Sequence, residues 1–451
     1  MKIRQVVVLA NPSQVASSIP SGLTQLGLQI HDRFSPDSNG FDSLLLCDPG
    51  FENTLNGSAI LRQAVSCGCC ILMDPQSQSS VLEEMGKTGG ICEETRNDLA
   101  AYALYRCLES DARLLDALQK KGVGAMPRYV VNAFQKVQDL RYGENWHQRA
   151  ALYCRNGALG LHKAKKLNGR EMSYNNVVDA EAVLEMLIDL SQYDGVRADK
   201  PLSVIVKHTN PCGVAYGKSL EEAYRLSFAT DPKSAFGGVI GFNRPVDVQT
   251  AAAIGNSFVE VLLAPGYEPE ALQILMENKP NRRILDIGDL LEGEDLLYSG
   301  YYLKSIFGGI MLQDYDKSDL KEWRIVTSRP PTDAETRALR FAWKIAKYVK
   351  SNALVYTTEN QTIGIGSGQV SRVDSARFGA EKAEEHGLCT VGTVAATDSF
   401  FPFRDGLDMT FEAGATAVIH PGGSIRDDEV INAANEHDMA MVFTGMRHFR
   451  H

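Results

Sequence analysis

The chain has 451 residues, 44% hydrophobic and 23% charged, which is typical of a globular protein of two to four domains. Lysine and arginine total 46 against 56 aspartate and glutamate, and the net charge of −10 argues against a broad nucleic-acid or acidic-membrane surface. No apolar run approaches the roughly 18 residues of a membrane span. The apolar stretch near the start is too short for a signal peptide. Nine cysteines, mostly scattered, predict a reducing cytoplasmic environment without a disulfide framework.

The first part of the chain alternates short apolar runs with amphipathic stretches. The runs QVVVLANP, FDSLLLCDP and CCILMDP predict buried strands and SAILRQAVS a helix between them, an alternation typical of a parallel α/β sheet. A long helix is predicted over EETRNDLAAYALYRCLESDARLLDAL, followed by a Gly- and Pro-containing linker. The cluster Cys67-Gly68-Cys69-Cys70 has no second ligand pair and predicts buried thiols instead of a metal site. We place the first domain at residues 1–135.

An α/β alternation resumes near residue 175 and is then repeated. The segments LLAPGYEPEAL and VIHPGGSIRDDEV are alike, as are VKHTN and VKSN, and both pairs occur in the same relative order. These matches indicate a duplicated α/β unit, which we divide into residues 136–330 and 331–451. Strands that turn into helices are expected to place functional loops at the carboxyl ends of the strands.

The segment KHTNPCG, residues 207–213, follows the apolar strand LSVIV. Its Asn-Pro pair is expected to stop regular strand pairing, and Gly213 permits close backbone approach. Lys207 places a cation beside His208, and a neighbouring cation favours the neutral imidazole that a general base requires. The motif by itself predicts either a proton-transfer site or a strand-end histidine satisfied by the backbone.

A zinc site of the nucleoside-deaminase type is the rival interpretation of this segment. Such enzymes carry His-x-Glu followed by Pro-Cys-x-x-Cys. Here Asn210 replaces the glutamate and Ala215 replaces the second cysteine. No histidine of the chain has a glutamate two positions after it, so no catalytic metal is predicted.

Three other segments each have two interpretations. Gly364-Ile365-Gly366-Ser367-Gly368 resembles a dinucleotide fingerprint but has Gln369 at the last position, and it predicts a ligand-cradling turn into a helix at Ser371-Arg372. Arg372 is there either as an exposed surface residue or as a substrate ligand. The run FFPFRD, residues 400–405, predicts ordinary core or a loop wall that stacks on a planar ring. The basic tail RHFRH, residues 447–451, is a frayed terminus or an anion site.

Taken together, these segments resemble the bifunctional purine-biosynthesis enzyme family that pairs AICAR transformylase with IMP cyclohydrolase. The resemblance runs from about residue 140 to residue 451 through LRYGEN-HQ, KHTNPCG, DPKSAFGG, APGYE, KSNA, GIGSGQ-SR, DSFFPFRDG, PGGSIRDDEV and MRHFRH, in the family's order. It departs at Trp146, where the family usually has proline. The resemblance implies an α/β fold in which a shortened methylglyoxal-synthase-like domain precedes two duplicated cytidine-deaminase-like α/β units without zinc.

The resemblance implies transfer of a formyl group from the cosubstrate 10-formyltetrahydrofolate to AICAR, which gives FAICAR without a metal or a nicotinamide. His208 would transfer the proton, Lys207 would support it electrostatically, and Asn352 would hydrogen-bond at the reacting centre. The positions implied to contact AICAR are Arg141, Tyr142, Gly237, Glu260, Arg372, Phe400 and Arg447. Those implied to contact the folate are Val373, Asp405, Ser424 and Ile425. The family is a homodimer whose transformylase sites form across the subunit interface.

The shortened N-terminal domain is predicted to lack IMP cyclohydrolase activity. The family's Lys-Thr-Leu-His-Pro segment, which contacts the nucleotide phosphate, has no counterpart in residues 1–60. Aligned on Leu61-Arg62, the family's catalytic aspartate falls at Thr54 and its catalytic lysine at Ser66. A hydroxyl does not replace either charged group at neutral pH. A fully bifunctional enzyme, a non-catalytic nucleotide-binding homologue and a nicotinamide dehydrogenase remain alternatives.

Overall fold

The structure, a computed structural model, describes residues 5–9, 29–31, 43–47, 53, 56–73, 75–119, 126–193, 196–197, 200–293 and 300–451. Both helices and several sheets are present, so the predicted mixed α/β class is confirmed. The chain divides into two compact units, Met1–Gln135 and Lys136–His451. Part of the predicted linker, residues 120–125, lies outside the described residues.

The first unit contains a parallel sheet with helices packed on it. Its elements are β1 Gln5–Leu9, β2 Gln29–His31, β3 Ser43–Cys47, α1 Gly57–Ser66, β4 Cys70–Leu72, α2 Pro75–Thr88 and α3 Glu93–Gln119. The strands pair in parallel in the order β2-β1-β3-β4. Parallel neighbours need a crossover connection, and α1 supplies it between β3 and β4. The parallel arrangement predicted for this region is therefore confirmed.

Alternate residues of β3 face opposite sides of this sheet, and each side is covered by apolar side chains. Leu44 and Leu46 belong to a cluster with residues of α2 and α3, whereas Leu45 belongs to one with residues of α1. Cys69 and Cys70 are buried, and burial raises their pKa values to about 11 and about 12 respectively. These two are the buried thiols that the sequence predicts.

Of the two positions aligned with the family's catalytic cyclohydrolase residues, the structure describes one, Ser66. Ser66 is the last residue of α1, and its hydroxyl donates a hydrogen bond to the carbonyl of Arg62 at 3.0 Å. Thr54 lies outside the described residues.

The second unit is built on two six-stranded sheets. Its first part contains β5 Gln135–Leu140, β6 Ala150–Cys154, β7 Lys165–Asn168, α4 Tyr174–Leu190, β8 Gln192–Tyr193, β9 Val196–Arg197, β10 Leu202–Lys207, β11 Asn210–Tyr216, α5 Leu220–Thr230, α6 Pro232–Ala235, β12 Val239–Phe242, α7 Val248–Ile254, β13 Val261–Ala264, α8 Pro269–Asn278, β14 Arg283–Asp286, β15 Tyr302–Ile306 and β16 Gly309–Gln313. The remainder contains β17 Arg324–Ile325, α9 Asp333–Ala346, β18 Leu354–Thr357, β19 Thr362–Gly366, α10 Arg372–Glu385, β20 Val394–Thr397, α11 Arg404–Glu412, β21 Ala417–His420, α12 Asp427–Glu436 and β22 Ala440–Phe443.

The two sheets have the same topology. One has the order β11-β10-β12-β13-β14-β7 and the other, read in the matching direction, β19-β18-β20-β21-β22-β17. In each, the hairpin, the pairing next to it and the pairing at the far edge are antiparallel, and the three strands between them are parallel. Helices α4 and α9 occupy corresponding places before the hairpins. This repeated topology is that of a duplicated α/β unit.

One of the two sequence matches that suggested the duplication is not structurally equivalent. LLAPGYEPEAL and VIHPGGSIRDDEV both run from a middle parallel strand into its helix, β13 into α8 and β21 into α12. VKHTN, however, ends β10 and forms its hairpin turn, whereas VKSN precedes β18. The match of VKHTN with VKSN is therefore not evidence for the duplication. Such short similarities also occur between segments that are not structurally equivalent.

A continuous apolar core joins the two sheets. Its members come from α4, α9 and both sheets, and the rings of Tyr216 and Phe341 lie 5.5 Å apart within it. At the edge, the amide of Tyr216 donates to the carbonyl of Asn360 at 2.8 Å, and the amide of Val214 donates to the Thr362 hydroxyl at 2.9 Å. The edge strands β11 and β19 therefore hold the sheets side by side. Within the described residues, no helix combines the length and apolar character needed to cross a membrane.

Candidate active site

The segment KHTN forms a two-residue hairpin turn between β10 and β11. Lys207 pairs with Asn210 and Val206 with Pro211, so the expectation that Asn-Pro stops pairing is wrong. Both turn residues have left-handed backbones, with φ of 53° at His208 and 63° at Thr209. Tight hairpins need positive φ at both positions, which is why they usually carry Asn-Gly. With a β-branched threonine, such strain costs of order 1–3 kcal/mol per residue, and the surrounding structure must offset it.

Two side chains hold this strained turn. The carboxylate of Asp179, on α4, accepts the amide of His208 at 3.2 Å and that of Thr209 at 2.7 Å. The amide nitrogen of Asn210 donates to the carbonyl of His208 at 3.3 Å. Sequence reasoning missed Asp179, because it is nearly thirty positions away and no local pattern marks it.

Lys207 contacts the residue before Gly237, one of the positions assigned to AICAR. Its ammonium donates to the carbonyl of Phe236 at 2.7 Å. Gly237 follows with φ of 76°, and its amide donates to the carbonyl of Phe258 at 2.7 Å. A Cβ on Gly237 would lie 3.4 Å from the Phe258 ring, an ordinary contact, so the backbone conformation and not space favours glycine there.

Glu260 lies beside this segment. Its backbone amide donates to the carbonyl of Gly238 at 2.9 Å, and its carboxylate pairs with the buried guanidinium of Arg283 at 2.5 Å. Arg283 also donates to the carbonyl of Glu171 at 3.0 Å. Arg283 is a second residue that the sequence did not reveal, and it orients a candidate nucleotide-binding carboxylate.

Arg141 and Tyr142 are anchored through their backbones at the start of α4. The amide of Arg141 donates to the carbonyl of Met172 at 3.0 Å, and the carbonyl of Tyr142 accepts the amide of Tyr174 at 3.1 Å. The Arg141 guanidinium is exposed and lies over the Tyr142 ring at 5.3 Å. Trp146, the departure from the family motif, is 85% exposed.

A second group of candidates is organised by the buried carboxylate of Asp398. It accepts hydrogen bonds from the Ser351 hydroxyl at 2.6 Å and the Ala353 amide at 3.0 Å, on either side of Asn352. It also pairs with Arg372 at 2.7 Å. Asp398 is a third residue that the sequence analysis did not identify.

Arg372 is neither exposed nor free. Its guanidinium donates to the Ala353 carbonyl at 3.2 Å, to the Thr397 hydroxyl at 2.8 Å and to the Asn352 side-chain oxygen at 3.1 Å. The interpretation of Arg372 as a surface arginine is therefore wrong. The Asn352 amide nitrogen in turn donates to the carbonyl of Gln369 at 2.9 Å, which fixes its orientation.

The first two glycines of GIGSG serve helix packing. Gly366, Ser367 and Gln369 line the cavity described below, so the ligand-cradling role of the segment stays a prediction. Gly364 and Gly366 lie within β19, directly beneath α10. A Cβ on Gly366 would lie 1.8 Å from the carbonyl oxygen of Ser375, and one on Gly364 would lie 2.0 Å from that of Gly379. The predicted turn comprises only the residues after Gly366. Because Gly364 and Gly366 have no side chains, β19 and α10 can approach closely there.

The C-terminal segment is held in place and is not frayed. The amide of His448 donates to the carbonyl of Asp398 at 3.0 Å. Its buried ring contacts the Asp316 carboxylate at 2.6 Å and the Asp319 carbonyl at 3.0 Å. Arg447 is exposed beside it, with its guanidinium over the Phe449 ring at 4.5 Å. The anchor therefore places an available cation next to the Asp398 group.

The remaining candidates follow strands of the second sheet, and all but Val373 follow its parallel strands. Phe400 is half-buried in the loop between β20 and α11, and Asp405 is exposed in the first turn of α11. Ser424 accepts the Arg426 amide at 3.1 Å, and Ile425 beside it is fully exposed. Val373 is half-buried, next to Arg372 at the start of α10.

His420 shapes the turn that carries Ser424 and Ile425. It is completely buried, and burial together with nearby Arg372 lowers its pKa to about 3. The neutral ring accepts the amide of Gly422 on Nδ1 at 3.1 Å. This buried histidine is therefore a structural support for the loop and not a proton-transfer group at neutral pH.

A cavity of about 430 Å³ brings the two groups together. Lys207 and His208 line it from the first sheet, and Gln369 and Lys382 line it from the second. Through the carbonyl of Gln369 the cavity wall is bonded to Asn352. The other candidate AICAR and folate positions are not among its lining residues.

A further hydrogen bond connects the two groups at the cavity wall, which Asn210 helps to line. The side-chain oxygen of Asn210 accepts the amide of Lys350 at 3.0 Å. Asn210 also contacts His208, and Lys350 lies two positions before Asn352. The side chain of Asn210 therefore joins the turn at His208 to the segment that carries Asn352.

The candidates lie at opposite ends of the parallel strands in the two sheets. Gly237 and Glu260 precede β12 and β13, at their amino ends, whereas Ser424 and Arg447 follow β21 and β22. Lys207 ends β10, but β10 is antiparallel to β12 and so reaches the same edge as Gly237. The expected placement at carboxyl ends thus holds for Lys207 and His208 and for these candidates of the second sheet, and it fails for Gly237 and Glu260.

The cavity carries charge but no assembled metal site. The Asp231 carboxylate on its wall pairs with Lys382 and lies 3.2 Å from Nε2 of His386. Burial raises the pKa of the neighbouring Cys212 thiol to about 12, so it is not a thiolate ligand at neutral pH. Across the part of the chain that the structure describes, no three His, Cys, Asp or Glu side chains are grouped to hold a metal ion.

Comparison with known proteins agrees with the motifs on these loops. Residues 68–382 match the family model described as the AICARFT/IMPCHase bienzyme. The bifunctional purine biosynthesis protein PurH of Acidithiobacillus ferrooxidans is 44% identical over 406 residues, which cover 88% of this chain and 76% of that protein. The match includes the strained turn, Asp179 and the Asn352 segment. The chain therefore belongs to the AICARFT/IMPCHase bienzyme family of purine-biosynthesis enzymes.

Proposed function

We propose that this chain transfers the formyl group of 10-formyltetrahydrofolate to the 5-amino group of AICAR. The observation that carries the proposal is the placement of Lys207 and His208 in the wall of a cavity whose opposite wall is bonded to Asn352. These are the three side chains to which the family resemblance assigns the chemistry.

The reaction needs a proton acceptor and fixed hydrogen-bond donors. The amino nitrogen attacks the formyl carbon, the tetrahedral species collapses, and the bond from that carbon to N10 of the folate breaks. The amine loses one proton and N10 gains one, a transfer suited to His208. Lys207 supports His208 electrostatically, and Asn352 offers an oriented side chain at the reacting centre. One fixed donor to the developing oxyanion typically contributes about 3–4 kcal/mol.

The nucleotide and folate positions follow from the same proposal. Arg141 and Arg447 are exposed cations on an acidic protein and suit an anionic nucleotide. The guanidinium of Arg372 donates hydrogen bonds to Asn352 and Asp398 and so orients Asn352. Contact with the substrate is its second role. Tyr142, Gly237, Glu260 and Phe400 complete the AICAR positions, and Val373, Asp405, Ser424 and Ile425 receive the folate.

The finer architecture belongs to the same proposal. The first unit is a methylglyoxal-synthase-like domain that does not catalyse the cyclohydrolase step, and the two sheets of the second unit are cytidine-deaminase-like. The transformylase sites form across the interface of a cytoplasmic homodimer, which explains why a single chain's cavity includes so few of the candidates. PurH of Acidithiobacillus ferrooxidans is bifunctional by name.

A spectrophotometric assay with AICAR and 10-formyltetrahydrofolate tests the activity. Wild-type protein should turn over, and His208→Ala should lose about 10²–10⁴ in rate while still binding AICAR. Lys207→Met should also be severe. His437→Ala, a partly buried histidine paired with Asp408, is the matched control and should leave the rate unchanged. Turnover of His208→Ala within tenfold of wild type would remove His208 from its role, and AICAR binding without wild-type turnover would favour a non-catalytic homologue.

A further inference from the structure

The hairpin turn at His208 has a conformation that its own residues disfavour. Thr209 is β-branched, and at φ of 63° its Cβ crowds the following carbonyl group. Glycine would adopt this conformation without a Cβ penalty. Strain of this kind persists only where neighbouring groups impose it, and it is concentrated at functional sites.

Asp179 is the group that imposes the conformation from outside the hairpin. It accepts both turn amides, one on each carboxylate oxygen, at 3.2 Å and 2.7 Å. Two parallel amides directed at one carboxylate require successive residues whose N–H groups point the same way, as they do in this left-handed turn. An extended or right-handed backbone at His208 would break this bidentate contact.

The helix that carries Asp179 is itself rigidly placed. A capping box between Ser173 and Asn176 fixes its first turn. On its inner face, a Cβ on Gly241 of β12 would lie 2.2 Å from Val183, so helix and sheet are in close contact. The carboxylate of Asp179 is therefore a fixed reference point for the turn.

The backbone at His208 decides where its imidazole points. The direction of Cβ follows from φ and ψ, so a change of turn conformation would redirect the ring relative to the cavity that Lys207 and Gln369 line. A misplacement of about 1 Å at a reacting group can cost on the order of 10²-fold in rate.

We propose that Asp179 is a positioning residue for formyl transfer: its carboxylate holds His208 and Thr209 in the left-handed turn that aims the imidazole into the cavity. The inference rests on the proposed function, because the rate it concerns is that of formyl transfer. Its structural half, the dependence of the turn on Asp179, can be measured without any activity.

The first measurement is hydrogen exchange of the amides of His208 and Thr209 in the full-length protein. Asp179→Ala should raise their exchange rates at least tenfold, since both lose their acceptor. Exchange within twofold of wild type would overturn the proposal. If wild-type protein shows no turnover while this exchange effect is present, the proposed function fails and the role of Asp179 in the turn stands.

The second measurement is steady-state formyl transfer. Asp179→Ala should lower kcat at least tenfold with KM for AICAR within threefold, because the imidazole is misdirected while the nucleotide contacts remain. Asp179→Asn should fall between Asp179→Ala and wild type, since its amide offers one acceptor oxygen for two amides. Adding Thr209→Gly to Asp179→Ala should restore kcat at least threefold, because glycine adopts the left-handed conformation unaided.

Asp247→Ala is the matched control. Asp247 also accepts a backbone amide, that of Thr250 at 2.7 Å, but at the start of α7. It should lower the thermal midpoint without changing kcat. An equal loss of kcat in Asp247→Ala and Asp179→Ala, or no recovery of kcat with Thr209→Gly, would show that Asp179 acts through general stability and would overturn the proposal.

Discussion

Replacing Asp398 with asparagine should destabilise the second unit and disorganise the Asn352 group. The carboxylate is completely buried, and it pairs with an Arg372 guanidinium whose side chain is only 6% exposed. Asparagine preserves the shape and one acceptor oxygen, which can still receive the Ala353 amide. It removes the negative charge, however, and leaves a buried arginine without a counter-ion.

The magnitude follows from that burial. Breaking a buried ion pair by removing one partner typically costs 3–5 kcal/mol, because the remaining charge stays desolvated, so we expect a loss of about 3–5 kcal/mol. For a unit of this size, such a loss lowers the thermal midpoint by roughly 5–8 °C. Urea unfolding followed by tryptophan fluorescence measures the free energy, and Trp343 in the core of the same unit reports on it.

Glu359→Gln provides the matched comparison. Glu359 forms a bidentate pair with Arg337, at 2.8 Å and 3.0 Å, but the two side chains are 36% and 56% exposed. An exposed pair is worth about 0.2–1 kcal/mol, since water screens it. If Asp398→Asn costs no more than Glu359→Gln, then the buried network does not organise this site as argued above. Formyl transfer should fall in Asp398→Asn at temperatures where the protein remains folded, and should be unchanged in Glu359→Gln.

Three other predictions concern the fold and the first unit. Because His420 is neutral in the folded protein down to about pH 3 but takes up a proton below about pH 6.5 when unfolded, stability should fall with pH in this interval. Between pH 6.5 and pH 5 the fall attributable to His420 is about 2 kcal/mol in urea unfolding, and His420→Gln should abolish it. Gly366→Ala should prevent normal folding, since its Cβ would overlap the Ser375 carbonyl, whereas Gly368→Ala, with 3.7 Å to the nearest atom, should cost only about 1 kcal/mol for its positive φ; comparable unfolding curves would contradict the packing argument. Purified protein given FAICAR should form no IMP above the buffer blank while making FAICAR from AICAR, and ring closure as fast as formyl transfer would show that the first unit is active.

Several features were readable from the sequence because they depend on local pattern. The apolar runs of β1, β3, β4 and β10 were predicted, as were the helices α1, α3 and α10. Where local pattern was ambiguous, the predictions failed. The first three residues of GIGSG have the composition of a turn and lie in β19, and α11 begins at Arg404, inside a run interpreted as a loop wall. At β19 the close contact with α10 outweighed local preference.

The site shows the same division. Lys207, His208 and Asn352 were identified because their motifs are contiguous in the chain and match the family in order. Asp179, Asp398 and Arg283 were not identified, because each acts on residues that are distant in sequence. Arg372 was identified with two interpretations, and only the folded chain rules out the exposed surface residue, since its guanidinium is buried against Asp398.

The sequence by itself therefore determined the α/β class, the family and the residues that carry the proposed chemistry, all of which depend on composition, periodicity and ordered motifs. Only the tertiary structure decided which groups hold those residues in place. The left-handed turn at His208 exists because Asp179 of another element accepts its amides, and Asn352 is oriented because a buried ion pair surrounds it. Such contacts join residues through space, and a linear pattern contains no record of which distant carboxylate will meet which amide.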